Sequence, residues 1–105
     1  MSNKGIFPYA GSSFVITFSP QLVIKNTYSE AGDEVTAEFM TGDMAGTVMT
    51  IPFQWESLPD DYYLISWQED DKSTVVHCDN FVKKTSRAFY TMMDGSFYVM
   101  KGEIC

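Results

Sequence analysis

Large apolar residues recur at every second position along most of the chain, and the 3.6-residue period of an amphipathic helix is scarce. Phe14, Ile16 and Phe18 set this pattern before Ser19-Pro20 breaks it, which predicts a first strand. Residues 21–28 repeat it, with Leu22 and Ile24 on one face and Lys25 and Thr27 on the other. They end in the polar, glycine-containing stretch Ser29-Glu30-Ala31-Gly32-Asp33, a hairpin loop by composition. Val35, Ala37 and Phe39 form a third strand, and Thr47, Met49, Ile51 and Phe53 line one face of a fourth that runs toward Trp55. Pro52 has no amide hydrogen to give to a ladder, so it must lie at an edge, a bulge or the end of that strand. Residues 62–68, rich in aromatic and aliphatic side chains, make the most strand-like run. Residues 73–79, 86–92 and 96–102 complete the set, the last two joined by Met93-Asp94-Gly95, whose Asp-Gly pair is a strong hairpin signal.

Eight evenly spaced strands with no intervening helical pattern predict an all-β fold, an eight-stranded antiparallel up-and-down barrel of the calycin or lipocalin kind. Closure would remove the exposed edges that invite aggregation in so apolar a β-protein. Its interior would be just wide enough to be filled by side chains or to hold one small ligand. A two-sheet β-sandwich is the alternative. Residues 1–105 read as a single barrel domain in which residues 1–12, with the apolar hook Gly5-Ile6-Phe7-Pro8-Tyr9, form an N-terminal segment that caps one barrel end.

Composition supports a packed core: 45% of the 105 residues are hydrophobic and 15% aromatic. Seven Lys and Arg stand against fourteen Asp and Glu, a formal charge of −7. Only Lys83 and Lys84 are adjacent, so the basic stripe that nucleic-acid binding requires is missing. Residues 5–24 carry no charge, yet Pro8, Gly11, Ser12, Ser13, Thr17 and Ser19 interrupt them too often for a membrane span or a signal-peptide core. Cys78 lies in an alternating run and Cys105 is the last residue, which reads as two reduced thiols in a cytoplasmic protein. Six acids (Glu56, Asp60, Asp61, Glu69, Asp70 and Asp71) precede Lys72, but a strand of roughly 23 Å divides them. The two acidic pairs are therefore expected in separate loops at opposite barrel ends.

Candidate chemistry is sparse. His77, the single histidine, adjoins Cys78, but neighbouring strand residues point to opposite faces and cannot converge on one ion or form a nucleophile–base pair. No metal or other cofactor is expected. Seven methionines supply pliable apolar surface, as core or as the wall of a pocket. Tyr28, Tyr63, Trp67, Glu69, His77, Arg87 and Tyr90 are the polar residues available to orient a ligand in such a pocket.

The run Tyr63-Leu64-Ile65-Ser66-Trp67-Gln68-Glu69, followed by Ser73-Thr74-Val75-Val76, resembles a strand pair of the phenolic acid decarboxylases and of the molybdenum-cofactor biosynthesis protein F family. Both are calycin-like barrels. Thr41-Gly42-Asp43-Met44-Ala45-Gly46 is similar to the decarboxylases' glycine-bearing approach to the strand that holds their catalytic arginine. The likeness spans about residues 14–80 and implies eight strands around a lumen. It also implies that a decarboxylase would need two tyrosines on the first strand, an arginine after the glycine, and a glutamate. Glu69 matches the glutamate, but the arginine position holds Thr47 and the tyrosine positions fall near Ile16 and Phe18. A lone carboxylate repels the anionic acid it would have to orient, so that reaction is not expected. Asp94-Gly95-Ser96-Phe97 with Lys101-Gly102-Glu103 resembles the final hairpin of short single-barrel relatives of the cofactor-biosynthesis family.

The expected function is therefore non-catalytic binding of an apolar or aromatic small molecule in the lumen, with Tyr63, Trp67, Glu69, His77, Arg87 and Tyr90 as its lining. Two alternatives come from other classes. One is an acidic interaction, immunity or inhibitor module for a basic protein. The other is a lyase or isomerase using Glu69 as general acid or base. Pairing of two barrels into a homodimer is a further expectation.

Overall fold

Each alternating run becomes a strand because only that conformation sends one set of side chains inward and the other outward. A computed structural model describes residues 5–105. Its strands are β1 (Ser13–Ser19), β2 (Leu22–Tyr28), β3 (Glu34–Phe39), β4 (Val48–Pro52), β5 (Gln54–Leu58), β6 (Tyr62–Gln68), β7 (Thr74–Asn80), β8 (Thr85–Thr91) and β9 (Phe97–Ile104), with a 3-10 turn at Pro59–Asp61. All pairings are antiparallel, in the order β4-β3-β2-β1-β9-β8-β7-β6-β5. The sheet curls into a nearly closed barrel.

The ninth strand has a local cause. The expected fourth strand divides at Pro52 and Phe53: β4 pairs with β3, and β5 pairs with β6. Pro52, opposite Glu34, has no amide hydrogen to donate, and the Phe53 amide makes the last bond on the β3 side, to the carbonyl of Asp33 at 3.1 Å, before Gln54 pairs with Ser66 of β6. One bent segment thus supplies both edges of the sheet. On the other side of the barrel, β1 meets β9 over Ile16↔Ile104 and Thr17↔Glu103, and the Cys105 amide adds a bond to the Val15 carbonyl at 2.8 Å. Gly102 makes that crossing possible, since a Cβ there would lie 2.8 Å from the Phe18 ring and 3.0 Å from Ile16.

Inward positions form the core. Ile16, Tyr28, Val35, Ile51, Ile65, Trp67, Val75 and Ile104 are buried, while their strand neighbours face out. Phe7 is as buried as these strand residues and fills one end of the lumen. Its ring meets those of Tyr28, Phe53, Trp55, Tyr63 and Phe81 at centroid distances of 4.8, 5.3, 5.3, 5.9 and 6.4 Å, mostly edge to face. Tyr9 adds a tilted contact with Phe81 at 4.2 Å. The acidic turns lie apart: Asp60-Asp61 precede β6 on the side of this aromatic plug, and Asp70-Asp71 follow it at the other end.

Two outcomes follow from the plug. Phe7→Ala removes the ring at its centre and should cost about 3–5 kcal/mol, read as a lowered urea midpoint. Tyr28 is wholly enclosed, so desolvation, reinforced by the charge of Asp79, holds its phenol well above the ordinary tyrosine range. The unfolded chain ionises at pH about 10 and the folded one does not, so this contribution to stability is intact below that pH and is lost above it. The urea midpoint should fall as pH rises beyond about 10, and less steeply in Tyr28→Phe.

Candidate functional site

At the end opposite the plug, the lumen retains a void of about 30 Å³. The register explains its lining. Trp67, Val75 and Tyr90 lie side by side on β6, β7 and β8, and one step deeper Ile65, His77, Ala88 and Met100 form the next row across to β9. Phe18 from β1, Ile24 and Asn26 from β2, and Ala37 and Phe39 from β3 close the opposite wall.

Glu69 follows β6 and enters this space from the turn to β7. The turn is held by backbone bonds from the Glu69 amide to the Ser73 carbonyl and from the Lys72 amide to the Glu69 carbonyl, both 2.8 Å. Tyr90 donates its hydroxyl proton to Glu69 Oε1, and the Trp67 indole N–H reaches Oε2 at 3.4 Å. Burial, then the bond to Glu69 and its charge, push the Tyr90 phenol far above its usual value. Tyr90 is accordingly a donor at any physiological pH.

His77 stacks on Trp67 at 5.1 Å, with 25° between the rings, and meets the Phe18 ring edge to face at 6.1 Å. Its Nδ1 lies 3.3 Å from Asp79 Oδ1 and 3.2 Å from Ser86 Oγ, while Ser86 donates to the same Asp79 oxygen at 2.5 Å. A serine, a histidine and an aspartate therefore converge, but not as a relay. Serine and aspartate address the same ring nitrogen, the hydroxyl proton points to Asp79, and Ser86 is 1% exposed. A nucleophilic triad instead needs the imidazole between the two, with the serine open to substrate. Three buried side-chain atoms lack a hydrogen-bond partner, Asp79 Oδ2, Asn26 Oδ1 and, in the turn after Glu69, Ser73 Oγ. Among the described residues, no group of three or more His, Cys, Asp and Glu side chains is placed to hold a metal ion.

Of the residues proposed from sequence, Trp67, Glu69, His77 and Tyr90 come together in this void. Tyr63 and Tyr28 face the lumen at the other end, inside the aromatic plug. Arg87 is on the outer face, exposed beside Cys78 and Lys101, because it shares strand parity with Phe89 rather than with Ala88 and Tyr90. Cys78 also faces outward, its thiol raised by burial and by Asp79 and drawn partly back by Arg87. Asn26, Asp79 and Ser86 were not among the sequence candidates. Parity carried the signal, since Asn26 alternates with Ile24 and Asp79 with His77. Ile16 and Phe18 are inward apolar residues where the decarboxylase resemblance would require phenols.

No α-helix of the described residues is long and apolar enough to cross a membrane. The family model described as MoaF-like matches residues 10–105. Curated proteins give no match. Among solved structures, a protein from Burkholderia vietnamiensis described as a "putative beta-lactamase" is 33% identical, with a TM-score of 0.90 over 95% of this chain and 96% of that one. A family match over nearly the whole described barrel, together with a relative of the same architecture at that identity, shows that the chain belongs to the MoaF-like family.

Proposed function

We propose that the protein binds a small, partly aromatic molecule in the lumen between Trp67, Glu69, His77 and Tyr90, and does so without catalysis. The observation that carries this reading is the unpartnered Asn26 Oδ1 at the wall of a void whose other polar lining residues are Glu69, His77 and Tyr90. A buried acceptor left without a donor costs about 1–3 kcal/mol, a cost that a ligand's N–H or O–H removes. The indole of Trp67 and the rings of Phe18 and Phe39 offer faces and edges to an aromatic body.

Size sets the ligand class. A void of about 30 Å³ holds one or two waters, so a ring enters only by displacing Met100 and Phe18, both partly buried and Met100 unbranched. A single-ring molecule with one donor fits that description, and a sterol or long acyl chain does not. The side chains also favour binding over chemistry. Both Glu69 oxygens already accept bonds from Tyr90 and Trp67, and Ser86 is spent on Asp79. The interaction-module reading is weaker, because the acidic pairs sit at opposite ends of β6.

Phenol is a suitable probe. It should shift the amide resonances of Trp67, His77 and Tyr90 saturably and raise the melting temperature. Ala88→Val, which puts two further methyl groups into the void, should abolish both effects while the amide spectrum keeps its folded dispersion. Saturable binding that survives Ala88→Val, or its absence from the native chain for phenol, benzylamine and indole alike, would overturn the proposal.

A further inference from the structure

The outer face of β6–β9 carries a second feature, which adjoins the lumen at Phe18 and Ser86. A groove of about 990 Å³ runs across it, floored by Leu58, Pro59 and Tyr62 and walled by Lys83, Arg87 and Lys101. Drug-sized ligands occupy pockets of about 300–1,000 Å³, so the space is ample.

Its charges are the unexpected part. Arg87 on β8 and Lys101 on β9 are direct cross-strand partners on one sheet face, an arrangement of like charges that destabilises a sheet. Among the described residues neither has a carboxylate within salt-bridge distance, although the chain holds twice as many acids as bases. Glu103, the acid of the groove, is set opposite Thr85 rather than opposite a cation. Lys83 is the third cation and lies 5.5 Å from the centroid of the Tyr62 ring.

The end of the groove is built, not incidental. Asn80, fully buried, accepts the amide hydrogens of Val82 and Lys83 at 3.1 and 2.8 Å through Oδ1 and donates to the Asp60 carbonyl at 3.0 Å. That one side chain ties the β7–β8 turn, which carries Lys83, to the turn that carries Pro59. Cation and apolar floor are thereby held in a fixed relation.

We infer that this groove is a binding site for an amphiphilic carboxylate, its anionic head between Arg87 and Lys101 and its apolar body over Tyr62, Leu58 and Pro59. The head supplies the counter-charge that the Arg87–Lys101 pair lacks, and the floor covers a short hydrocarbon chain or a ring. The lumen does not suit the same ligand, since its void is only about 30 Å³ and the acidic side chains Glu69 and Asp79 face or adjoin it.

Decanoate, titrated at low ionic strength into ¹⁵N-labelled protein below its micellar concentration, tests this. The expected result is saturable shifts in β8, β9 and at Tyr62, with Trp67 and Tyr90 unmoved. Acetate and decyltrimethylammonium should not saturate there, because one lacks the body and the other the charge. Arg87→Gln with Lys101→Gln should weaken decanoate about tenfold or more, and both side chains are exposed, so the fold should survive. Undiminished affinity in the double variant, equal binding of decyltrimethylammonium, or decanoate shifts confined to the lumen would each overturn the assignment. Phenol binding in the lumen should be unaffected by the double variant, which keeps the two sites separable.

Discussion

An antiparallel meander ends in two open edges, and in this protein one continuous segment, residues 48–58, occupies both. Its first half hydrogen-bonds to β3 and its second half to β6. The change of partner takes place just after Pro52: the Phe53 amide still bonds the Asp33 carbonyl on the β3 side, and Gln54 already pairs with Ser66 of β6. The barrel is closed by a bend in the chain more than by a ladder of bonds. Everything inside depends on that bend: Ile51, Phe53 and Trp55 flank it, all buried, and Phe7 packs directly on the last two. The aromatic plug is therefore cross-bracing for the place where the sheet itself is discontinuous.

The plug also divides the apolar content of the chain into two uses. At its end of the lumen, ring meets ring and little space is left, so the side chains fill the barrel. Toward Glu69 the same alternation brings smaller and polar residues inward, Ala37, Ala88, Asn26 and His77, and the packing relaxes into a void. Filling and lining thus coexist in one barrel, separated along its axis. The network of His77, Asp79 and Ser86 lies between the two regions and is buried on all sides. Low dielectric strengthens its hydrogen bonds and makes its one free oxygen costly, so it fixes the orientation of the His77 ring against Trp67.

Most of this was legible because period-two alternation depends only on which residues are apolar. The strands, their turns and the antiparallel order followed from it, and so did the separate placement of Asp60-Asp61 and Asp70-Asp71. Pro52 announced an interruption but not that the strand would resume on a new partner. That outcome depends on where β3 and β6 end up, a non-local matter. The site was half legible. Trp67, Glu69, His77 and Tyr90 line one void, but Tyr63, four residues before Trp67 and of the same parity, lies at the other end, because parity assigns a face and not a height along the barrel. Arg87 shows the opposite failure. Named with the polar residues available to orient a ligand, it was expected in the lumen, whereas its parity within β8 sends it outward, to Lys101.

That outward turn explains how an acidic protein distributes its charge. The carboxylates of the turns at both ends, Asp60-Asp61 and Asp70-Asp71, lie where water can solvate them without a partner. The bases are few, and Lys83, Arg87 and Lys101 are gathered on one outer face where no described acid pairs with them. A net charge of −7 makes the surrounding potential negative, which attenuates the mutual repulsion of Arg87 and Lys101 and allows the fold to tolerate it. The same field opposes the approach of any anion, so a carboxylate alone gains too little to stay. An apolar body must contribute the remainder by covering Tyr62, Leu58 and Pro59. The two proposed sites would consequently differ in partner: the Asn26 acceptor inside calls for a donor, and the cations outside call for an acid with a hydrophobic body.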